Sequence, residues 1–347
     1  MSNPRSVDVN LKYNGHTITT SMKDYIESVS YVDVYSGESD QLDITIQNIN
    51  MRWLKGKWYP KKGDKIKGAF VFNNWNKAGK KLKLNCGTFI ADEIKFSGGP
   101  LTGTISCLTL PSYSSFKATE RTKTWESVTI ADILREIAEK YQMGHEYKAP
   151  SITIESLEQS DKSDCSFLKS LCDDYALSIK IFNEGIIIYD QTAQEKRKSI
   201  ATLKRSSFVN DKWDFIDSIQ GTYTGAKISY KSSDDDEETD IYIGHIPENS
   251  EHARILNINE TADSEGDARR KAAGKLDKAN ESATKLSGDI WPNPKIVAGA
   301  TVTVTGMGKI NGKYFVEKST IKVSESGTTQ SIEMHKCYKR LTFEGEF

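Results

Sequence analysis

The sequence lacks the cysteine and histidine patterns that hold metal ions in proteins. It contains no CxxC pair and, among its five histidines, no HxxxH or HExxH pair. Structural zinc sites depend on such closely spaced ligands. The sequence therefore predicts no metal and no cofactor, and free, largely buried thiols are the expected state of the five cysteines. They are Cys86, Cys107, Cys165, Cys172 and Cys337.

A surplus of one charge and long apolar runs are also absent. The chain of 347 residues has 47 Lys+Arg against 48 Asp+Glu, which argues against a dedicated nucleic-acid-binding protein. No apolar run approaches the roughly 20 residues of a membrane span. The first ten residues have no apolar segment of the signal-peptide kind. We therefore expect synthesis in the cytosol, without a membrane span.

The familiar catalytic motifs are missing as well. There is no GxSxG sequence and no GxxxxGK[ST] phosphate loop. The glycines between 306 and 312 do not form GxGxxG and lie between predicted strands. Acidic residues of the kind that glycosidases use occur on predicted helices, where solvated charge is the ordinary state; they are Glu136, Glu139, Asp173 and Asp174. The sequence predicts that the chain is not an enzyme.

What the sequence does contain is a clear strand pattern near its C-terminus. Val302 and Val304 point to one side and the intervening threonines to the other, a period of two that is typical of a half-buried strand. Gly299 precedes this strand, and Gly306 and Gly312 mark the turn to the next one. Because a two-stranded apolar face is not stable alone, this hairpin must pack on further strands.

The chain divides into three predicted segments. Residues 1–118 read as short strands at the spacing of a barrel or sandwich. Residues 119–193 read as a small α+β module with helices near 130–141 and 164–175, the first capped by Thr129 and Asp132. Residues 194–347 read as strands again, with one long alanine-striped helix predicted at 264–286 that Gly288 ends.

Three stretches carry a resemblance to a known family. They are Arg121 to Tyr141, which contains Trp125; Ser160 to Asp190, with its Phe-Leu-x₂-Leu run and glycine-turned hairpin; and Ala268 to Phe315. In this order they resemble the phage tail hub family, which includes late control protein D of contractile phages. The hubs of phage-like bacteriocins and the hub half of type VI secretion spike proteins belong to the same group.

This resemblance implies a structural protein. Hub proteins carry two β-barrel domains similar to the tail-tube subunit, separated by a small α+β module, with the long helix packed on the second barrel. Three chains form a pseudo-hexameric ring that joins the six-fold tail tube to the three-fold spike or needle. The resemblance implies a homotrimer whose partners are the tube and spike proteins, other baseplate proteins and the tape measure protein. The implied location is a virion or bacteriocin particle assembled in the host cytoplasm.

The family resemblance also suggests which residues serve assembly. The candidates are Val302, Val304, Gly299, Gly306, Gly312 and Trp125. A channel wall could be lined by the polar face at Thr301, Thr303 and Thr305, or by the acidic run Asp234 to Glu238. That run has no interleaved spacing and no glycine, so it is expected to be a solvated loop rather than a calcium site.

One alternative function remains open at this point: a cell-wall-binding or peptidoglycan-degrading tail-tip protein. Its binding surface would be an aromatic platform on the middle module, although core packing is the expected use of these periodic aromatics. The residues concerned are Tyr147, Tyr175, Phe182 and Tyr189.

Overall fold

The protein is described from a computed structural model, which defines residues 4–18, 23–75, 77–109, 114–231, 238–244, 253–260, 262, 264–338 and 340–341. The chain is mainly β, as the sequence predicts. The strands are β1 (Ser6–Tyr13), β2 (His16–Thr17), β3 (Ile26–Val34), β4 (Gln41–Gln47), β5 (Lys65–Asn73), β6 (Lys81–Ser97), β7 (Thr102–Leu108), β8 (Glu120–Thr129), β9 (Gly144–Lys148), β10 (Thr153–Ser163), β11 (Leu177–Phe182), β12 (Gly185–Asp190), β13 (Ala201–Leu203), β14 (Phe208–Asp217), β15 (Gly225–Lys231), β16 (Glu238–Gly244), β17 (Ile255–Ile258), β18 (Thr284–Ile290), β19 (Thr301–Val304), β20 (Gly312–Ser324) and β21 (Gly327–Lys336). The helices are α1 (Ser115–Ala118), α2 (Ile130–Lys140), α3 (Asp164–Asp174), α4 (Gln191–Lys196) and α5 (Glu265–Asn280).

The two sheet-rich ends of the chain share one strand order. At the N-terminal end the neighbours run β3-β4-β7-β6-β5-β1, and at the C-terminal end they run β14-β18-β21-β20-β19-β13. We number the six strands of each end from 1 to 6 along the chain, leaving out the two-residue β2 and the inserted β15–β17. In this numbering both ends have the strand order 2-3-6-5-4-1. The one difference is the last pair, which is antiparallel for β5 and β1 but parallel for β19 and β13. We call these six-strand sets the first and second units.

Each unit surrounds its own apolar core. All six strands of the first unit contribute to one buried cluster, with Phe70, Phe72 and Phe89 at 1% exposure or less. All six strands of the second unit contribute to another, which includes Val302 and Val304. Because side chains alternate along a strand, each unit keeps its second face for polar residues. Both ends therefore repeat one architecture around separate cores.

A seam within the chain joins the two units into one sheet of 13 strands. The second half of β20 pairs antiparallel with β3, from Lys318 opposite Val34 to Ser324 opposite Ser28. Ile321 of β20 is part of the first unit's core. The ladder satisfies the backbone groups of two strands that would otherwise be sheet edges.

The middle segment forms the α+β module that the sequence predicts. Thr129 and Asp132 make a reciprocal capping box at the start of α2, and β11 and β12 form the predicted hairpin. Strands β8 and β10 add a two-stranded sheet that the sequence did not indicate. Lys180 of the hairpin forms ion pairs with Asp33 and Asp40 of the first unit, both of them buried. The module is thereby fixed to the end of β3.

The long helix differs from its prediction in length and in packing. Helix α5 ends at Asn280, and residues 284–290 form strand β18 rather than the last turns of a helix at 264–286. The Asn280 side chain, in the last residue of the helix, bonds both backbone groups of Tyr223. Leu286 then enters the core of the second unit from a strand. Gly288 lies inside that strand, where a Cβ atom would come within 2.7 Å of the Lys212 carbonyl oxygen.

The alanine stripe of α5 packs on a different partner from the one expected. Ala268, Ala272 and Leu276 lie in a separate small core with the three-stranded sheet β16-β15-β17, not in the core of the second unit. Gly274 approaches the middle module so closely that a Cβ there would be 3.0 Å from the Ala176 nitrogen. Small residues permit that approach, so α5 bridges its own sheet and the module.

Candidate channel wall and assembly surfaces

Eight strands of the large sheet share one polar face. They are β14, β18, β21, β20, β3, β4, β7 and β6, paired antiparallel throughout. Their registers place polar and charged side chains side by side, all of them half-buried or exposed except Ser28, which is buried. The set comprises Asp214, Lys285, Ser287, Asp289, Thr329, Ser331, Glu333, Lys318, Thr320, Lys322, Ser28, Ser30, Gln41, Asp43, Thr45, Gln47, Thr102, Thr104, Ser106, Glu93, Lys95 and Ser97. The same registers also place apolar residues on this face, namely Ile90, Leu108, Val32, Val34, Phe315 and Ile216.

This polar wall has nearly balanced charge. Four of its members are lysines and five are acidic. Because most of its side chains are polar and their charges are mixed, the wall offers no large apolar patch and no one strong electrostatic sign to passing molecules. Such a face suits the lining of a channel. The sequence could have revealed it through the alternating polar residues in strands β3, β4 and β7.

Two of the three threonines proposed for a lining lie elsewhere. Thr301 is 2% exposed and donates its hydroxyl to the Arg197 carbonyl at 3.1 Å, and Thr303 donates to the Ser199 hydroxyl at 2.8 Å. Both therefore face the segment before β13. The acidic run Asp234 to Glu238, the other proposed lining, falls on residues 232–237, outside the described part of the chain, except for its last member.

The predicted assembly residues take structural positions. Val302 and Val304 are fully buried in the second core. Gly299 and Gly306 adopt φ of 83° and 75°, the left-handed region that favours glycine. At Gly312, a Cβ would meet the Lys336 side chain at 2.7 Å. The six candidates do not form one cluster, because the sixth lies in the middle module.

That sixth residue, Trp125, is 3% exposed in the module's core. Its ring stacks on Phe167 with centroids 6.0 Å apart, and the Lys123 ammonium lies 3.7 Å from the ring centroid. Burial of this kind indicates a role in holding the module together rather than in contacting a partner.

Two strand segments of the polar-faced sheet have a neighbouring strand on one side only, as far as the described residues show. Strand β14 pairs only with β18. The second half of β6, Glu93–Ser97, pairs with β7 on one side, while β5 on its other side stops opposite Ile90. Unpaired backbone groups of this kind are templates for pairing with another chain. Beside them Ile216 is 58% exposed and Ile219 is 67% exposed.

A buried ionic cluster ties the second unit to the segment that follows the module. His335 of β21 has no exposed surface; its Nε2 lies 2.8 Å from Glu195 and its Nδ1 lies 2.9 Å from Glu317. Because ionised carboxylates only accept hydrogen bonds, both ring nitrogens carry protons when Glu195 and Glu317 are ionised. Arg340 donates to Glu195 at 2.6 Å, and Tyr35 donates to Glu281 at 2.8 Å.

The pKa shifts in the cluster have opposite directions. Burial alone would lower the pKa of His335, but its hydrogen bonds to Glu195 and Glu317 raise it. Burial would raise the pKa of Glu281, but the charges of His335, Lys278 and Arg340 lower it to about 2. Both shifts favour the charged forms.

This cluster also corrects an expectation about residues 191–199. The sequence predicts a charged linker there, yet Gln191 and Glu195 are 3% and 5% exposed on helix α4. They are buried because their polar atoms pair with Glu281, His335 and Arg340. Sequence polarity alone could not indicate these distant partners.

Three cluster members could reach one cation in principle. Side-chain atoms of Glu281, Glu317 and His335 lie within 4.8 Å of one another. However, Lys278 and Arg340 already supply positive charge beside them, with Lys278 3.0 Å from Glu281. A divalent ion would have to displace the imidazolium proton from this balanced set. The arrangement fits an ion-pair network better than a metal centre.

The apolar cavity at one end of the first unit does not resemble a catalytic pocket. It occupies about 530 Å³ at one end of the first unit, and aromatic and aliphatic side chains such as Trp53, Trp58 and Ile44 line it. Its carboxylate, Asp64, already accepts hydrogen bonds from Tyr13, Asn14 and the Lys61 amide. A substrate would need convergent polar groups that are not engaged with one another.

The aromatic platform proposed on the middle module is not formed. Tyr175 and Tyr189 are buried, bonding Asp267 and the Tyr35 carbonyl respectively. Phe182 packs on Gly87 of the first unit. The proposed hydrolase acids are dispersed: Glu136 pairs with Lys123, and Asp174 with Lys275. In the described part of the chain, no helix combines the length and apolar content needed to cross a bilayer.

Comparison with solved structures defines the fold class. A tail protein from Neisseria meningitidis MC58 superposes with a TM-score of 0.69 at 12% identity, over 95% of this chain and 97% of that one. The 43 kDa tail protein of prophage MuSo2 from Shewanella oneidensis gives 0.68 at 12% identity, over 95% and 98%. The E. coli c3393 protein, described as a type VI secretion component with structural similarity to T4 tail proteins gp27 and gp5, gives 0.58 at 10% identity, over 93% and 76%.

No protein-family model and no curated protein matches the sequence. The chain therefore has the fold of phage tail proteins and of a type VI secretion system component, at identities where only the fold is shared.

Proposed function

We propose that this chain is the structural baseplate hub of a contractile tail, and that three copies form a ring around a channel. The duplicated 2-3-6-5-4-1 strand order carries the proposal. Two units of like architecture in each chain make three chains equivalent to six wall units. Such a ring adapts a six-fold tube on one side to a three-fold spike on the other.

The seam between β20 and β3 supplies the geometry of the ring. It pairs the second unit of a chain with its own first unit, edge to edge. If the same contact recurs between the first unit of one chain and the second unit of the next, the interaction is head to tail. A heterologous contact of this kind closes into a ring when its rotation divides the circle. Eight polar-faced strands from each of three copies then surround the channel.

The polar wall supports a ring in which this face of the sheet points towards the channel. Its Ser, Thr, Lys and acidic side chains would face the lumen, and both apolar cores would lie outside it. The chain needs no catalytic group for this task, since its function is shape. The partners are then a tail tube ring above and a spike or needle protein below, with other baseplate proteins and the tape measure protein nearby. The complex would belong to a phage virion or a phage-like bacteriocin, assembled in the host cytoplasm.

Oligomeric mass tests the proposal directly. We expect the purified protein to be a trimer at micromolar concentration, because obligate interfaces commonly bury about 2,000 Å² or more. Multi-angle light scattering measures the mass, and negative-stain projections should show a three-lobed ring with a central hole. A single-chain mass of 38.9 kDa at that concentration would contradict the constitutive trimer.

A further inference from the structure

We propose that β6 of one copy pairs antiparallel with β14 of the next, with Phe96 opposite Phe215. This inference rests on the proposed ring and adds its residue register. The internal seam is the template. The first half of β20 pairs with β19, and its second half, beyond the end of β19, pairs with β3 along the same edge. The equivalent strand β6 pairs with β5 in its first half, but Glu93–Ser97 has no strand on that edge within the described residues.

A shared irregularity aligns the two long strands. β6 and β7 shift register between Ala91 and Glu93, and β20 and β21 shift between Val316 and Lys318. Each shift leaves one extra residue on the longer strand, as in a β-bulge. Bulges mark fixed points in a sheet, so Glu93 corresponds to Lys318. Three residues further on, Phe96 corresponds to Ile321.

The strand ladders then align β14 with β3. Cys107 and Met334 lie opposite the two bulges, on β7 and β21. From each of them, the cross-strand partners can be followed over the next two strands of the same unit. In the first unit the path runs Cys107, Leu42, Tyr31, and in the second it runs Met334, Leu286, Phe215. Phe215 therefore corresponds to Tyr31. Within the chain, Ile321 lies opposite Tyr31, which places Phe96 opposite Phe215 between copies.

Burial supports this register. At the internal seam Ile321 and Tyr31 are 1% and 3% exposed. Their counterparts Phe96 and Phe215 are both apolar but only half-buried in the single chain. A second copy in this register would cover them, since neighbouring strands bring opposite side chains into contact. The same register puts Lys95 opposite Ile216, which is 58% exposed and lies on the polar wall.

Paired cysteines test the register. Adjacent antiparallel pairs alternate between hydrogen-bonded and non-hydrogen-bonded geometry, with Cα atoms about 5.5 and 4.5 Å apart, and both fall within the reach of a disulfide. The double variants are F96C/F215C and K95C/I216C. The control is K95C/K212C, which keeps the sheet face and displaces the second cysteine by four residues, about 13 Å along the strand.

After mild oxidation and denaturation, we expect at least one of the two matched pairs to give covalent dimers and trimers on a non-reducing gel. Each single-cysteine variant should give no more covalent dimer or trimer than the parent protein. The displaced pair should stay monomeric. If light scattering shows a trimer but neither matched pair crosslinks, or the displaced pair crosslinks instead, the register is wrong while the ring stands. If no trimer forms, the proposed ring and this seam both fail.

A charge series provides a second readout without cysteines. Like charges directly opposite one another across strands destabilise the pairing, and opposite charges stabilise it. We expect I216K, facing Lys95, to weaken association about fivefold per seam relative to I216E. The double variant K95E/I216K should recover the affinity of I216E. Equal association constants for all three proteins, with unchanged circular dichroism, would contradict the pairing of Lys95 with Ile216.

Discussion

Replacing Val304 with Asp is expected to abolish folding of the chain. Val304 has no exposed surface and lies in the core of the second unit with Val302 and Tyr314. The carboxylate would lose its hydration without gaining a partner, and the protonated form would still leave a polar group among apolar side chains. Together with the lost valine contacts, the cost is about 5 kcal/mol or more, comparable to the whole stability of a typical domain. Val302→Asp should behave in the same way.

The measurement is the yield of soluble trimer together with thermal unfolding followed by circular dichroism. Thr329→Asp is the matched control, because Thr329 is a member of the polar wall on β21 and lies outside the core. Its change should stay within about 0.5 kcal/mol. Particles or rings that still assemble from either Val→Asp protein would show that these positions do not face the core.

Local features of this fold could be predicted from the sequence because they depend on neighbouring residues. Thr129 and Asp132 lie three positions apart and cap one helix, so their pattern is visible without tertiary contacts. The alternation at Val302 and Val304 likewise predicts which side of the strand enters the core, although Thr301 on the other side is buried as well. The features that needed the structure depend on distant partners. Leu286 continues the helical alanine stripe in the sequence, but in the structure it lies on a strand, where its side chain packs in the core of the second unit.

The candidate channel wall could be recovered only in part for the same reason. Alternating polar residues are visible within β4, yet nothing local shows that β20 of the other unit continues the same face. The duplication is also hidden, since equivalent positions such as Tyr31 and Phe215 share only apolar character. Strand order is a property of pairing across the whole chain, and two units can keep it while their sequences diverge.

The protein is expected to be most stable at mildly acidic pH and to lose stability as the pH rises above neutrality. Burial lowers the pKa of His335, but its bonds to Glu195 and Glu317 raise it above the ordinary value in the folded chain. A raised pKa contributes stability that is fully present below the unfolded value of about 6.5 and is lost as the pH rises through the folded value. Every tenfold gain in the proton affinity of the imidazole on folding stabilises the charged form by about 1.4 kcal/mol.

The glutamates of the cluster set the acidic limit. The pKa of Glu281 is lowered to about 2, and that of Glu195 is lowered by its bonds to His335 and Arg340, in both cases against the effect of burial. Lowered carboxyl pKa values contribute stability that is present above about 4.5 and is lost as the pH falls through the folded value. The cluster therefore stabilises the fold most between about pH 4.5 and 6.5.

His335→Gln should remove this dependence and destabilise the protein strongly. Glutamine offers one amide in place of a cation, so three carboxylates would face Arg340, Lys278 and Lys285 alone. Breaking a buried ion pair by removing one partner costs about 3–5 kcal/mol. We expect the loss to be largest near pH 6 and to shrink at pH 9, where the wild-type imidazole is itself closer to neutral.

Chemical unfolding at pH 6 and pH 9 measures the effect, with His145→Gln as the control because His145 is exposed on β9. The wild type and the control should share one pH dependence, and His335→Gln should show a flatter one. A His335→Gln protein with the wild-type difference between the two pH values would mean that another group titrates. Because the cluster joins α4 to β21 and to Tyr35 of the first unit, its loss should also loosen the fixed arrangement of the two units on which a closed ring depends.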